Sequence, residues 1–314
     1  MISLTRQTGA FATILFIVTL TATFVRLYLN PFEAELAECI TLPRWWEAVL
    51  SALMLFVAAI VTNRAAVKVG MFGGFNTMPV SLYGYISCAI LLTPNLLTAS
   101  AAALLTAIGV MFIIRSLQFI SDKESLFTGM LLLGATAIIY PPCITLAAII
   151  PISIFVFPLG LRRIIIATTG YLLPLLGASY ICWYMGGEIY DLPLNLWNSL
   201  LNGYAGIKLE PLPIFTLAIT ALLLIIMAYG VLVGIFQRYS LLVPVRKTIQ
   251  IERWLLVIAV CTMLLPGSGI SMLPIIAVPA AVITAFALDQ MRPQWANFYY
   301  ITLTILIIVH LFFY

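Results

Sequence analysis

Apolar runs long enough to cross a membrane follow one another along the whole chain, and no long polar block separates them. A transmembrane helix needs roughly 20 mostly apolar residues, whereas a soluble domain carries about 25% charged residues. Of the 314 residues, 63% are hydrophobic and 8% are charged. This composition excludes a soluble protein and a receptor-like protein with one anchor and a large soluble domain. The sequence therefore predicts one all-α, polytopic membrane domain that covers residues 1–314.

Polar, Gly and Pro residues divide the apolar runs into about eleven candidate transmembrane helices. In two pairs of neighbouring candidate helices, the two members are separated mainly by Pro141-Pro142 and by residues 266–269. Each pair is therefore either two full spans or one broken, re-entrant hairpin. The count lies between about nine and eleven, and we predict eleven. The first is expected to be a retained signal anchor, because no convincing cleavage site follows it. The predicted spans are 10–28, 46–62, 78–93, 97–114, 125–140, 142–158, 164–184, 212–236, 254–266, 272–288 and 296–313.

Basic residues indicate the orientation, since Lys and Arg gather in the cytoplasmic loops of membrane proteins. With the N-terminus inside, twelve of the 15 basic residues fall in inner loops, and seven of the 11 acidic residues fall outside. This sorting predicts a cytoplasmic N-terminus and a C-terminus on the outer side. The inner basic residues are Arg6, Arg64, Lys68, Arg115, Lys123, Arg162, Arg163, Arg238, Arg246, Lys247, Arg253 and Arg292.

The predicted spans carry no Asp, Glu, Lys or Arg near their middle. Ion-coupled transporters and proton pumps use such groups at mid-membrane depth, so the pattern disfavours both classes. His310 is the only histidine and has no carboxylate at helical spacing, so we interpret it as a packed or interfacial side chain. The cysteines form neither a C-x-x-C motif nor a Cys/His cluster, and no metal site is expected.

The first outer connection, residues 29–45, contains a helix-start signal. Asn30 can cap a helix, Pro31 suits its first position, and Glu33 completes a capping box. The signal predicts a short amphipathic helix from Pro31 to about Thr41 that lies at the membrane surface.

Two acidic side chains, Glu35 and Glu38, project together from the polar side of that predicted helix. One interpretation is that they only face water. The other is that Glu35, with Glu38 beside it, acts as general base toward an incoming hydroxyl, while Arg26 or Arg44 holds a lipid-linked phosphate. Glu35 is the preferred catalytic candidate because it has no capping role.

The second outer connection, residues 185–211, combines acidic residues, amides and aromatic rings. Its segment 192–201 has helical spacing, which predicts a second surface helix. Glu188, Asp191 and Lys208 are the charged candidates for substrate binding at a rim that could recognise a sugar. The alternative is an ordinary interfacial loop, since aromatic belts are common at membrane surfaces.

The stretch from Ser121 to Gly177 contains the run SDKESLFTGMLLLGATAIIYPP, then an apolar span and Leu161-Arg162-Arg163. It resembles the membrane core of the GT-C class of glycosyltransferases, which use lipid-phosphosugars. Residues from about 45 to 185 are also similar to a family of uncharacterised multi-pass membrane proteins of Bacteroidota. The GT-C resemblance implies an acidic catalytic base in the first outer loop. It also implies a polyprenyl-phosphate-linked sugar as donor and chemistry at the periplasmic face of the bacterial inner membrane.

Three functional hypotheses follow. The leading one is a GT-C-like glycosyltransferase whose partners are membrane lipids and a lipid-linked sugar, with no nucleic acid. The second is a non-enzymatic membrane subunit or scaffold that docks a larger complex through its outer acidic loops. The third, a passive or flippase-like conduit, is disfavoured by the lack of charge in the middle of the predicted spans.

Overall fold

The computed structural model describes residues 13–14, 16–21, 44–72, 77–89, 96–118, 122–156, 161–201, 214–236 and 240–313. These ranges are helical, with no strand among them. Five helices, α1, α3, α6, α8 and α10, are long and apolar enough to cross a membrane, so the chain is a helical membrane protein. In chain order the helices are α1 (Arg44–Lys68), α2 (Met78–Gly84), α3 (Leu96–Gln118), α4 (Lys123–Ile139), α5 (Ile149–Val156), α6 (Leu161–Tyr184), α7 (Asp191–Leu201), α8 (Ile214–Phe236), α9 (Val243–Met263), α10 (Leu273–Gln290) and α11 (Pro293–Phe313).

Helix α10 forms the centre of the bundle. Every residue from Pro274 to Leu288 is buried, and helices α1, α2, α3, α8, α9 and α11 pack around it. Small residues let helices approach closely where lipid supplies no hydrophobic driving force. At the crossing with α8, a Cβ added to Gly230 would lie 2.7 Å from the Ile283 carbonyl oxygen, so glycine is required for this approach.

Helices α4 and α6 run in the same general direction. Gly170, early in α6, faces Phe127 near the start of α4, while Tyr171 and Pro174 face Gly134 further along α4. The chain between these two helices must therefore run back across the bundle.

The return begins where the sequence predicts an interruption. Pro141-Pro142 starts a 3-10 segment, Pro141–Ala148, which leads into α5. Proline has no N–H to donate and its ring clashes with the preceding turn, which ends α4. The second predicted interruption also forms, as a turn and a short 3-10 segment, Gly269–Met272, between α9 and α10. Both predicted breaks are confirmed.

One end of the bundle, which we call the basic end, collects most of the described positive charges at helix termini. The end of α3 meets the start of α4 there, with Arg115 Nε 3.2 Å from Asp122 Oδ2. Helix α6 also begins at this end, because it runs in the same direction as α4. The turn between α9 and α10 lies at the other end, beside α7, since the Gly267 amide donates to the Leu200 carbonyl at 3.3 Å, so α9 begins and α10 ends here. The basic residues at helix termini there include Arg115, Lys123, Arg162, Arg163, Arg246, Lys247 and Arg292. We call the opposite end, where α6 leads into α7, the α7 end.

Asp122 organises this meeting of α3 and α4 at the basic end. Its carboxylate caps α4 by accepting hydrogen bonds from the Ser125 hydroxyl at 2.7 Å and the Ser125 amide at 3.1 Å. These bonds, with a smaller contribution from Arg115, hold the pKa of Asp122 below its usual value.

Helix α9 differs most from the prediction. It begins at Val243, whereas the predicted span began at residue 254, so residues assigned to an inner loop are helical. Glu252 is consequently the tenth residue of this 21-residue helix, and it is buried. The helix therefore extends 11 residues before the predicted span 254–266, and Glu252 lies in this extension. His310, by contrast, is buried as a packed side chain should be.

Candidate functional site

The predicted catalytic pair lies outside the described residues. Glu35 and Glu38 fall in the undescribed range 22–43, together with Arg26, and Lys208 falls in the range 202–213. Arg44 is the first residue of α1, but its side chain is not among those described. The proposed roles of these residues stay predictions.

Two predicted substrate-binding residues, Glu188 and Asp191, are described, and they have different roles. Asp191 begins α7 and accepts a hydrogen bond from the Glu188 amide at 2.6 Å, while its own amide donates to the Glu188 carbonyl at 3.0 Å. Asp191 therefore shapes the turn that leads from α6 into α7. The Glu188 side chain is exposed and remains accessible to a substrate.

Helix α7, Asp191–Leu201, confirms that the segment 192–201 is helical, while its place at the membrane surface stays a prediction. Leu196 and Leu200 are buried against the bundle, whereas Trp197 on the other side is 59% exposed. The helix lies beside the two chain interruptions, because the Leu200 carbonyl accepts a hydrogen bond from the Gly267 amide at 3.3 Å. An amphipathic helix thus covers the place where the two interrupted helix pairs meet.

That meeting place, which we call the junction, is held by neutral hydrogen bonds. The Tyr140 hydroxyl donates to the Ser268 carbonyl at 2.8 Å, and the hydroxyls of Thr145 and Thr262 lie 2.5 Å apart. Ser268 also donates to the Thr262 carbonyl. Broken helices leave backbone groups without their usual partners, and side-chain hydroxyls can satisfy them inside a membrane protein. The junction is therefore a structural polar cluster. It contacts the end of α7 at Leu200, whereas the turn that carries Glu188 and Asp191, which we call the acidic turn, lies at the start of that helix.

The most unusual polar side chain in the described part of the chain is Glu252. It is 1% exposed, and its Oε2 has no hydrogen-bond partner among the described residues. It shares the core-facing side of α9 with Ile249, Leu255 and Leu256, all of which are buried. An ionisable group in such surroundings is costly and is a recognised sign of function in membrane proteins.

Sequence reasoning missed Glu252 because Arg246, Lys247 and Arg253 made its surroundings look like a cytoplasmic loop. Two signals were available. Pro244 suits the first turn of a helix, and the apolar residues at 245, 249, 255, 256 and 259 follow helical periodicity through position 252.

The described residues contain no group of three or more His, Cys, Asp or Glu side chains that could hold a metal ion. The described residues offer two distinct polar features, the acidic turn at the start of α7 and the buried carboxyl group of α9. No known protein family, curated protein or solved structure matches the chain.

Proposed function

We propose that the protein is a multi-pass protein of the bacterial inner membrane that transfers a sugar from a polyprenyl-phosphate carrier at the periplasmic face. The proposal includes about eleven membrane spans, a cytoplasmic N-terminus and a GT-C-like architecture. Glu35 is the proposed general base with Glu38 beside it, and Arg26 and Arg44 bind the carrier phosphate. Glu188, Asp191 and Lys208 belong to the acceptor rim.

The orientation is supported by the charges at the two ends of the bundle. Positive residues at helix termini collect at the basic end, which the positive-inside rule assigns to the cytoplasm. The α7 end carries Glu188 and Asp191 and would then face the periplasm. The start of α1, at Arg44, belongs to the same face in this orientation.

The observation that carries the proposal is the placement of α7 across the junction, with an acidic turn at its start. A helix with exposed Trp197 and buried Leu196 is suited to a membrane surface, where the proposed lipid carrier would enter from the outer leaflet. Glu188 offers an exposed carboxylate beside it for sugar hydroxyls. The sugar itself is suggested by the resemblance of residues 121–177 to the GT-C core.

The test is a transfer assay with purified protein in bilayer nanodiscs. Radiolabelled hexoses on polyprenyl phosphate serve as donors, and a membrane extract supplies acceptors. We expect Glu35→Gln to lower turnover by about 100-fold or more, because a general base contributes roughly 10²–10⁴ to the rate.

Glu124→Gln is the matched control, since Glu124 is an exposed acid in the first turn of α4 at the basic end. Its turnover should equal that of the unmodified protein. Full turnover in the Glu35 variant would contradict the assignment of the base. Absence of transfer with every donor, together with a protein partner that co-purifies in stoichiometric amount, would favour the scaffold hypothesis.

Glu252 favours a second candidate function, the passage of protons or small cations through the bundle. The absence of charge near the middle of the predicted spans disfavours ion conduction, but Glu252 lies outside the predicted span 254–266 and is buried inside the bundle. Membrane proteins retain buried carboxyl groups where these groups carry ions along a pathway.

Proteoliposomes loaded with a pH-sensitive dye can separate the two candidates. If the second is correct, an imposed proton gradient collapses faster with the unmodified protein than with Glu252→Gln, which keeps the side-chain shape but cannot ionise. Glu124→Gln again serves as the control. Equal rates for the unmodified protein, the Glu252 variant and empty liposomes would rule out a conducting role for this residue.

A further inference from the structure

A groove of about 420 Å³ lies between α8 and α9, on the side of the bundle. The exposed fractions of Ile235 and Val257 at its margin are 47% and 44%, so the groove opens sideways, toward the lipid in a membrane. Its volume is within the range of about 300–1,000 Å³ that is usual for sites that bind small molecules. The residues relevant to binding are Val231, Ile235 and Val257 on the apolar part, and Gln250, Arg253 and Trp254 on the polar part.

The polar part of the groove continues toward the basic end. Arg246, Gln250, Arg253 and Val257 recur at helical spacing, so they follow one side of α9. Arg253 lies about 15 Å along the helix from its first residue, given a rise of 1.5 Å per residue. Positive charge therefore reaches from the end of the helix to the inner part of the groove.

The aromatic ring of Trp254 interacts with the guanidinium group of Arg253. Arg253 Cζ lies 6.0 Å from the centroid of the Trp254 ring, a distance at which a cation is attracted to the ring face. The described residues that line the groove include no acid, and Glu252 next to them faces the core. The groove thus combines a positive polar end with an apolar channel that opens to lipid.

We propose that this groove binds one anionic phospholipid of the cytoplasmic leaflet. Its phosphate contacts Arg253 and Gln250, and one acyl chain follows Val231 and Val257. Basic pockets between membrane helices on the cytoplasmic side are suited to anionic headgroups. This binding does not depend on sugar transfer, because the groove lies on the side of the bundle and its lining includes none of the residues proposed for transfer.

The test measures quenching of Trp254 fluorescence by brominated lipids in bilayers of phosphatidylcholine. The difference between the unmodified protein and Trp254→Phe isolates the signal of this tryptophan. We expect brominated phosphatidylglycerol to quench it at a mole fraction about fivefold lower than brominated phosphatidylcholine. Both lipids carry a phosphate, but only phosphatidylglycerol has a net negative charge, and the attraction of an anionic lipid to one Arg corresponds to about fivefold.

Arg253→Gln should abolish the preference for the anionic lipid, whereas Arg292→Gln should keep it. Arg292 is exposed at the same end of the bundle, so its variant loses the same charge without changing the groove. Equal quenching by both lipids, or an unchanged preference in Arg253→Gln, would overturn the proposal. Relief of quenching by polyprenyl phosphate but not by unlabelled phosphatidylglycerol would also overturn it, since the occupant would then be the carrier lipid. If Arg253→Gln does not fold, the comparison of the two lipids in the unmodified protein decides.

Discussion

Helices α10 and α6 have nearly the same mean hydropathy, yet they occupy opposite environments. Of the most apolar stretch of α10, 83% is buried inside the bundle, against 22% for α6. A high mean hydropathy indicates that a helix prefers an apolar environment, but it does not distinguish the protein interior from the lipid. The centre of this membrane protein therefore has to be recognised by another property.

That property is the size of the side chains. Helix α10 carries Ala at 277, 280, 281, 285 and 287, all of them buried. Helix α6 instead presents Leu172, Leu173, Leu176 and Tyr180 to its surroundings, each with an exposed fraction of at least 45%. In lipid, tight packing of small residues drives helix association, while large apolar side chains are as stable against acyl chains as against protein.

Ala281→Phe in α10 should have the largest effect. Ala281 is fully buried, and the added ring must displace several packed helices, so we expect the free energy of unfolding to fall by about 3 kcal/mol. Unfolding by denaturing detergent in mixed micelles, followed by circular dichroism, measures the change.

The matched variant on the other helix is Leu176→Phe, at a position in α6 that is 66% exposed. It should change the free energy of unfolding by less than about 0.5 kcal/mol. Similar losses in the two variants would mean that α6 is also covered, for instance by another subunit, and the contrast between the helices would not hold.

A pair of glycines tests the contrast between a closely packed helix crossing and the exposed side of α6 with a single methyl group. A Cβ on Gly129 in α4 would lie 2.8 Å from the Gly109 carbonyl oxygen of α3, whereas a Cβ on Gly177 in α6 would meet no atom within 4 Å. We expect Gly129→Ala to lower the free energy of unfolding by about 2 kcal/mol, because the helices must separate.

Gly177→Ala should instead raise it by roughly 0.5–1 kcal/mol, since alanine is the better helix former and space is available. The same detergent titration measures both variants. A loss in Gly177→Ala would show that a neighbour occupies the space beside α6.

The sequence predicts those features that depend on local pattern. Apolar runs identify the helical membrane protein, the amphipathic spacing of 192–201 identifies α7, and prolines locate both interruptions. Two features are not local. The central position of α10 depends on how distant helices pack, and the burial of Glu252 depends on where α9 begins. Basic residues at the start of α9 favour a loop when they are considered alone, although Pro244 and the apolar spacing are local signals for a helix. Which side of that helix is buried depends on the packed bundle.

The smallest of the three expected losses of stability concerns the Tyr140 hydroxyl, which donates a hydrogen bond next to the start of α10. Tyr140 donates to the Ser268 carbonyl at 2.8 Å, just before α10 begins, and its ring is buried. Tyr140→Phe removes the hydroxyl and leaves that carbonyl without this donor, which should lower the free energy of unfolding by about 1 kcal/mol.

Tyr184→Phe at the end of α6 is the control, because Tyr184 is 80% exposed and water replaces any bond that its hydroxyl makes. If the two variants are equally stable, the interior around α10 is held by packing alone and the junction hydrogen bonds contribute no net stability. If only Tyr140→Phe is destabilised, the hydrogen bonds of the junction stabilise the region around α10 in addition to the packing of its small side chains.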